Sequence, residues 1–221
     1  MLEFRLVYQG PLKASGNKNT RSAHKQTIRR YFHKQLQKLW KVHPSLQSLA
    51  SWCPGPQVLN RLDRRVRVDP KMDCSYLSII GDKHALAGKR YIPLVTKEMN
   101  LHCSLDVVLL RRTEPQKIYS EGDLDGKIKT LMDALKKPEL NDAKNGDEDP
   151  LYCLVEDDNL ITELKLVGDL LLPTEDQLIA PPTCRDEDHS DRAMLGQQHA
   201  LALIHVKVRV NRTTEYNTDF L

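Results

Sequence analysis

One run of pattern limits the fold more than any other. Leu101–Arg111, LHCSLDVVLLR, is the strongest strand signal in the chain. A polar link, TEPQKIYSEG, then leads to a helical pattern over Asp125–Lys137. In that helix Ile128, Leu131, Met132 and Leu135 recur at i, i+3, i+4 and i+7, so one face is apolar and packs on a sheet. Leu160–Val167 reads as a strand again.

The remaining elements fit the same plan. Leu2–Tyr8 alternates, with Leu2, Phe4, Leu6 and Tyr8 on one face, and Gly10-Pro11 ends it. Thr20–Val42 predicts a helix with Thr20 as N-cap. Its buried face is Ile28, Phe32, Leu36, Leu39 and Trp40, and His43-Pro44 stops it. Cys74–Ile80 and Arg90–Val95 read as strands, and Pro93 confines the second to a sheet edge. Leu201–Val210 is the final strand, with Ile204, Val206, Val208 and Val210 inward. The expected fold is therefore α+β, a single domain over 1–221 with two main helices on a mixed, mostly antiparallel sheet. Insertions are expected at about 44–72, 138–150 and 172–198.

Several function classes are disfavoured. No run of 18 apolar residues exists, so no membrane span is expected. The start, MLEFRLVYQG, lacks a secretory pattern, and the expected location is the cytoplasm. Five scattered cysteines without a CxxC read as free apolar fillers rather than a disulfide framework or a zinc site. No HxH or HExxH points to a histidine metal site, no GxxxxGK[ST] loop to ATP, and no GxSxG elbow to serine hydrolysis.

Charge is uneven although its net value is only +3. Pro11–Lys71 carries 14 Lys/Arg against Asp63 and Asp69, while acids dominate Pro138–Asp191. A basic arm beside an acidic half suits a polyanion bound near a metal site. Lys13 and Lys18 in the first loop, with Arg21, Lys25 and Arg29 on the first helix, are the candidate phosphate contacts. The competing interpretation is an ordinary solvated surface helix. Arg61, Arg64, Arg65 and Arg67 form a further basic knot.

Asp123 and Asp125 stand two apart at the mouth of the second helix, with Lys129 one turn later. Asp157 and Asp158 precede the next strand. Convergent carboxylates hold a hard cation such as Mg²⁺, which activates water and neutralises a phosphate. Lys129 adds positive charge where the transition state is most negative. Each acid alone also has a bland use, as a helix cap or a solvated group.

The string D-L-D-G-x-x-K-x-x-x-D-A-L, followed by D-D-x-x-I, resembles the RusA-type Holliday junction resolvases. The match is carried by Asp123, Leu124, Asp125, Lys129, Asp133, Ala134, Leu135, Asp157 and Asp158, and covers about a third of the chain. The resemblance implies a RusA-like fold and a Mg²⁺-dependent endodeoxyribonuclease, Mn²⁺ being a substitute. It also implies a homodimer acting on branched double-stranded DNA, and an origin that is often a prophage. Carried over, Asp123, Asp125, Asp158 and Lys129 are catalytic, and Asp123, Asp125 and Asp158 bind metal with Asp157 in reserve. Gly126 stands where the family usually has Asn, and the gap before the second acid pair is longer. The alternatives are a non-catalytic DNA-binding relative and a carboxylate–metal phosphohydrolase acting on nucleotides or RNA.

Overall fold

The computed structural model describes residues 1–13, 18–53, 75–111, 124–143, 148–171, 199–214 and 217–220. The long strand signals make one four-stranded sheet. It contains β1 (Leu2–Pro11), β3 (Leu101–Arg111), β5 (Ile161–Leu170) and β6 (His199–Val210), in the order β1-β6-β3-β5. β6 runs antiparallel to both β1 and β3, and β5 runs parallel to β3. The fold is thus α+β, with a mixed sheet that is mostly antiparallel. Alternation is the cause of its buried face. Leu2, Leu6 and Tyr8 of β1, Ala202, Ile204, Val206 and Val208 of β6, and Cys103, Leu105, Val107 and Leu109 of β3 are all buried.

Helix α1 (Lys18–Val42) lies against β1 and buries Ile28, Phe32, Leu36 and Trp40, with Leu39 partly buried. A short α2 (Pro44–Ser51) follows, with Pro at its start and Leu46 and Leu49 buried. It occupies the start of the insertion expected at about 44–72. The remainder of that insertion, with its arginine knot, lies outside the described residues, as does the one expected at 172–198.

Three local expectations are corrected. Cys74–Ile80 was expected to be a strand, yet Tyr76–Lys83 is a helix, α3. The Ser75 hydroxyl accepts the Ser78 N–H at 3.4 Å, and Tyr76, Ile79 and Ile80 bury at helical spacing. Their aromatic and β-branched types imitate a strand, and the cap decides the outcome. The 138–150 segment is not merely a polar loop, because Leu140–Ala143 forms a helical turn, α5, tied to α1. Cys53 is disulfide-bonded, whereas Cys103 and Cys153 are free and buried, so the expectation of free thiols fails at Cys53. Cysteines without a CxxC spacing carry no local signal of pairing.

A second sheet escaped the pattern reading. Leu151–Val155 (LYCLV) forms β4, parallel to β2 (Tyr91–Val95). Both are almost wholly buried, and Pro93 lies in a strand paired on one side only. Such short, uniformly apolar runs are typical of buried parallel strands. Helix α4 (Leu124–Leu135) buries Ile128, Leu131 and Leu135, as its spacing predicts, with Ala134 also buried and Met132 only partly so. Gly126 is on this buried side, and the Thr130 hydroxyl donates to its carbonyl at 2.8 Å. On leaving α4 the chain joins the tip of β4, where the Lys137 N–H donates to the Val155 carbonyl at 2.9 Å. Among the described residues no helix is long and apolar enough to cross a membrane.

Candidate functional site

Parallel neighbours release their following residues at one edge, which is where open α/β sheets place ligands. β2 and β4 do so here. Beyond Val95 the chain turns through Thr96–Asn100, and beyond Val155 it continues as Glu156, Asp157 and Asp158. The Glu156 N–H donates to the Val95 carbonyl at 3.0 Å, and the Lys97 N–H donates to Glu156 Oε2 at 3.1 Å. These bonds lock the two exits together.

Asp157 caps a short 3-10 turn, Asp158–Leu160, by accepting the Asn159 N–H at 3.0 Å. Its other oxygen lies 3.4 Å from Lys97 Nζ. The Asn159 amide does most to hold the Asp157 carboxyl below its usual range. Asp158 and Lys97 add to this, and slight burial opposes it. Asp158 Oδ2 lies 3.5 Å from Lys136 Nζ, which also meets Glu139 at 3.1 Å and Asp133 at 3.9 Å. Burial opposes the Lys136 charge, but Glu139, Asp158 and Asp133 outweigh it and raise its pKa. Lys136 is therefore a fixed ammonium. With Lys137, Glu139, Glu156, Asp157 and Asp158 it lines an open cleft of about 470 Å³.

Asp157 and Asp158 thus share one cleft. Asp125 and Lys129, both exposed, share one side of α4, one turn apart. Asp123 lies outside the described residues. The two groups stand at opposite ends of α4. Eleven residues separate Asp125 from Lys136, about 16 Å at the rise of an α-helix. The described residues of one chain therefore do not assemble Asp125 and Asp158 into a single Mg²⁺ donor set.

Part of the basic arm is spent inside the molecule, on Lys25, Arg29 and Arg30. Arg29, named above as a phosphate contact, is 1% exposed. Its Nη2 donates to the Asp133 carbonyl at 2.9 Å and meets Asp142 Oδ2 at 3.1 Å. That corrects the assignment, since a buried guanidinium does not face DNA. Lys25 is 2.7 Å from Asp142 and Arg30 is 2.9 Å from Glu148, so acids of the 138–150 segment neutralise these bases of α1. Lys13 is exposed, and its N–H donates to His24 Nε2 at 3.3 Å. Lys18 and Arg21 fall in the first turn of α1. Lys34, Lys38 and Lys41 remain outward.

Asp142 makes this lock sensitive to pH. Burial opposes its charge, but Lys25, Ser22 and Arg29 outweigh burial and hold its carboxyl below the ordinary 3.8. A depressed folded-state pKa gives stability that is complete above the unfolded value and is lost as pH falls through the folded one. Thermal melts from pH 6 to pH 3 are expected to stay level and then drop below about pH 4, and Asp142→Asn should flatten the drop. An unchanged acid profile in that variant would remove Asp142 from the account.

Lys97, Lys136, Lys137, His84 and Glu98 were missed by sequence reasoning. The available signal was charge placed directly after short apolar runs. No protein-family model, curated protein or solved structure matches the chain.

Proposed function

We propose that the chain is a Mg²⁺-dependent, structure-selective endodeoxyribonuclease that cleaves branched DNA, four-way junctions included, as a homodimer. The observation that carries this reading is the cleft in which Asp157 and Asp158 stand beside the fixed Lys136 ammonium. It lies at the far end of the helix that opens with Asp125 and Lys129. Carboxylates of this kind hold a cation that activates water, and ammonium groups stabilise the developing phosphate charge.

Because α4 keeps Asp125 and Asp158 apart, the reading requires a two-fold pair of chains. The start of one α4 then faces the end of its partner's, and each site takes acids from both copies. Asp125 and Lys129 supply one half, and Asp158 with Asp157 supplies the other. Asp123 belongs with the first half by sequence. A junction needs two symmetric cuts, and a two-fold dimer supplies two sites.

One observation favours the alternative, a DNA-binding relative without catalysis. Asp157 and Asp158 already have Lys97 and Lys136 as partners, as structural ion pairs do. The test is incubation of the purified chain with a synthetic four-way junction, with and without Mg²⁺. Cleavage only with the metal supports the nuclease, and binding without cleavage supports the relative.

A further inference from the structure

Behind the cleft, the same sheet edge holds a different group of side chains. His84 ends α3, Glu98 lies in the turn after β2, and Glu156 follows β4. One ligand atom from each lies within 4.8 Å of the others. His84 is 4% exposed and the Glu98 side chain 16%. Each carboxylate is oriented by one oxygen. Glu98 Oε1 contacts Lys83 Nζ at 2.5 Å, and Glu156 Oε2 accepts the Lys97 N–H at 3.1 Å. Glu98 Oε2 is buried and has no hydrogen-bond partner. A buried carboxylate oxygen left without a partner is costly unless something binds it.

We propose that His84, Glu98 and Glu156 form a binding site for one divalent transition-metal ion, Zn²⁺ or Mn²⁺. One imidazole and two carboxylates are the donor set that such ions take, and the restrained second oxygens resemble the outer hydrogen bonds that orient metal ligands. The three ligands come from three elements, so the ion ties α3 to the exits of β2 and β4. Resting on the proposed nuclease only for its neighbour, it shares no ligand with the Mg²⁺ site, although Glu156 also lines the cleft. Lys83 and Lys137 are the competing cations, because Lys83 holds Glu98 and Lys137 Nζ lies 3.4 Å from His84 Nδ1.

Equilibrium dialysis of the full chain against Zn²⁺ in the presence of excess Mg²⁺ tests the proposal, with bound zinc measured by mass spectrometry. The expected result is about one equivalent per chain and a melting temperature raised by about 3 °C or more. Glu98→Gln and Glu156→Gln should each weaken binding about tenfold or more. Lys83→Met should tighten it, an outcome that a purely structural ion pair does not produce. Asp125→Asn should leave it unchanged, which separates this site from the nuclease centre. Circular dichroism checks that each variant is folded. Wild-type protein that retains no metal overturns the proposal, and so do folded Gln variants that bind as the wild type does.

Discussion

Co-expressed Asp125→Asn and Asp158→Asn chains are expected to recover Mg²⁺-dependent junction cleavage that neither chain shows alone. Each variant by itself should lose about 100-fold or more, the usual cost of removing a metal ligand or a transition-state contact. Recovery follows from the geometry of α4. Asp125 is in its first turn, and Asp158 pairs with Lys136 just beyond its last. If each site takes Asp125 from one chain and Asp158 from the other, a mixed dimer has one site with both acids missing and one with both present. Random pairing makes half the dimers mixed, so activity should return to about a quarter of the wild-type level. Sites built within single chains would give no recovery, because every site would then lack one acid. The experiment therefore reads site composition directly, and a monomeric active protein would contradict it as well.

The second large effect concerns stability. Arg29→Ala is expected to destabilise the fold by about 3–4 kcal/mol, because it removes a fully buried side chain and one of the two cations that face the largely buried Asp142. Asp142 is 13% exposed and would keep only Lys25 and Ser22. The Asp133 carbonyl at the end of α4 would also lose its donor. For a chain of this size the loss corresponds to about 10 °C in melting temperature. A double variant, Arg29→Met with Asp142→Leu, should recover much of the loss, since removing both charges leaves neither desolvated alone. A melting temperature within about 2 °C of wild type for Arg29→Ala, the scatter of surface substitutions, would return Arg29 to the solvent-facing bases.

The longest elements were legible because their periodicity is long. β1, β3 and β6 alternate over ten residues or more, and α1 and α4 repeat their apolar face over several turns. β4 is five residues of nearly unbroken apolar type, and such a run has no period to read. α3 was misread because Tyr76, Ile79 and Ile80 favour strands as isolated types, while the Ser75 cap and their spacing favour a helix. The neutralisation of α1 was invisible for another reason. Charge counts along a chain do not show which charges meet, and Asp142 lies 113 residues from Arg29. Asp125, Asp157 and Asp158 were visible as chemistry, but their placement at opposite ends of α4 depends on where β4 returns the chain. That return is set by the Lys137–Val155 hydrogen bond, which no motif encodes.

The central claim is that the carboxylates on either end of α4 serve metal-dependent cleavage of DNA. Its most direct test is a synthetic four-way junction incubated with purified chain, with Mg²⁺, Mn²⁺ or chelator. The account predicts symmetric nicking that needs the metal, and its loss in Asp125→Asn while junction binding persists. Protein that binds DNA yet cuts neither junction, flap nor duplex under any of these conditions would contradict it.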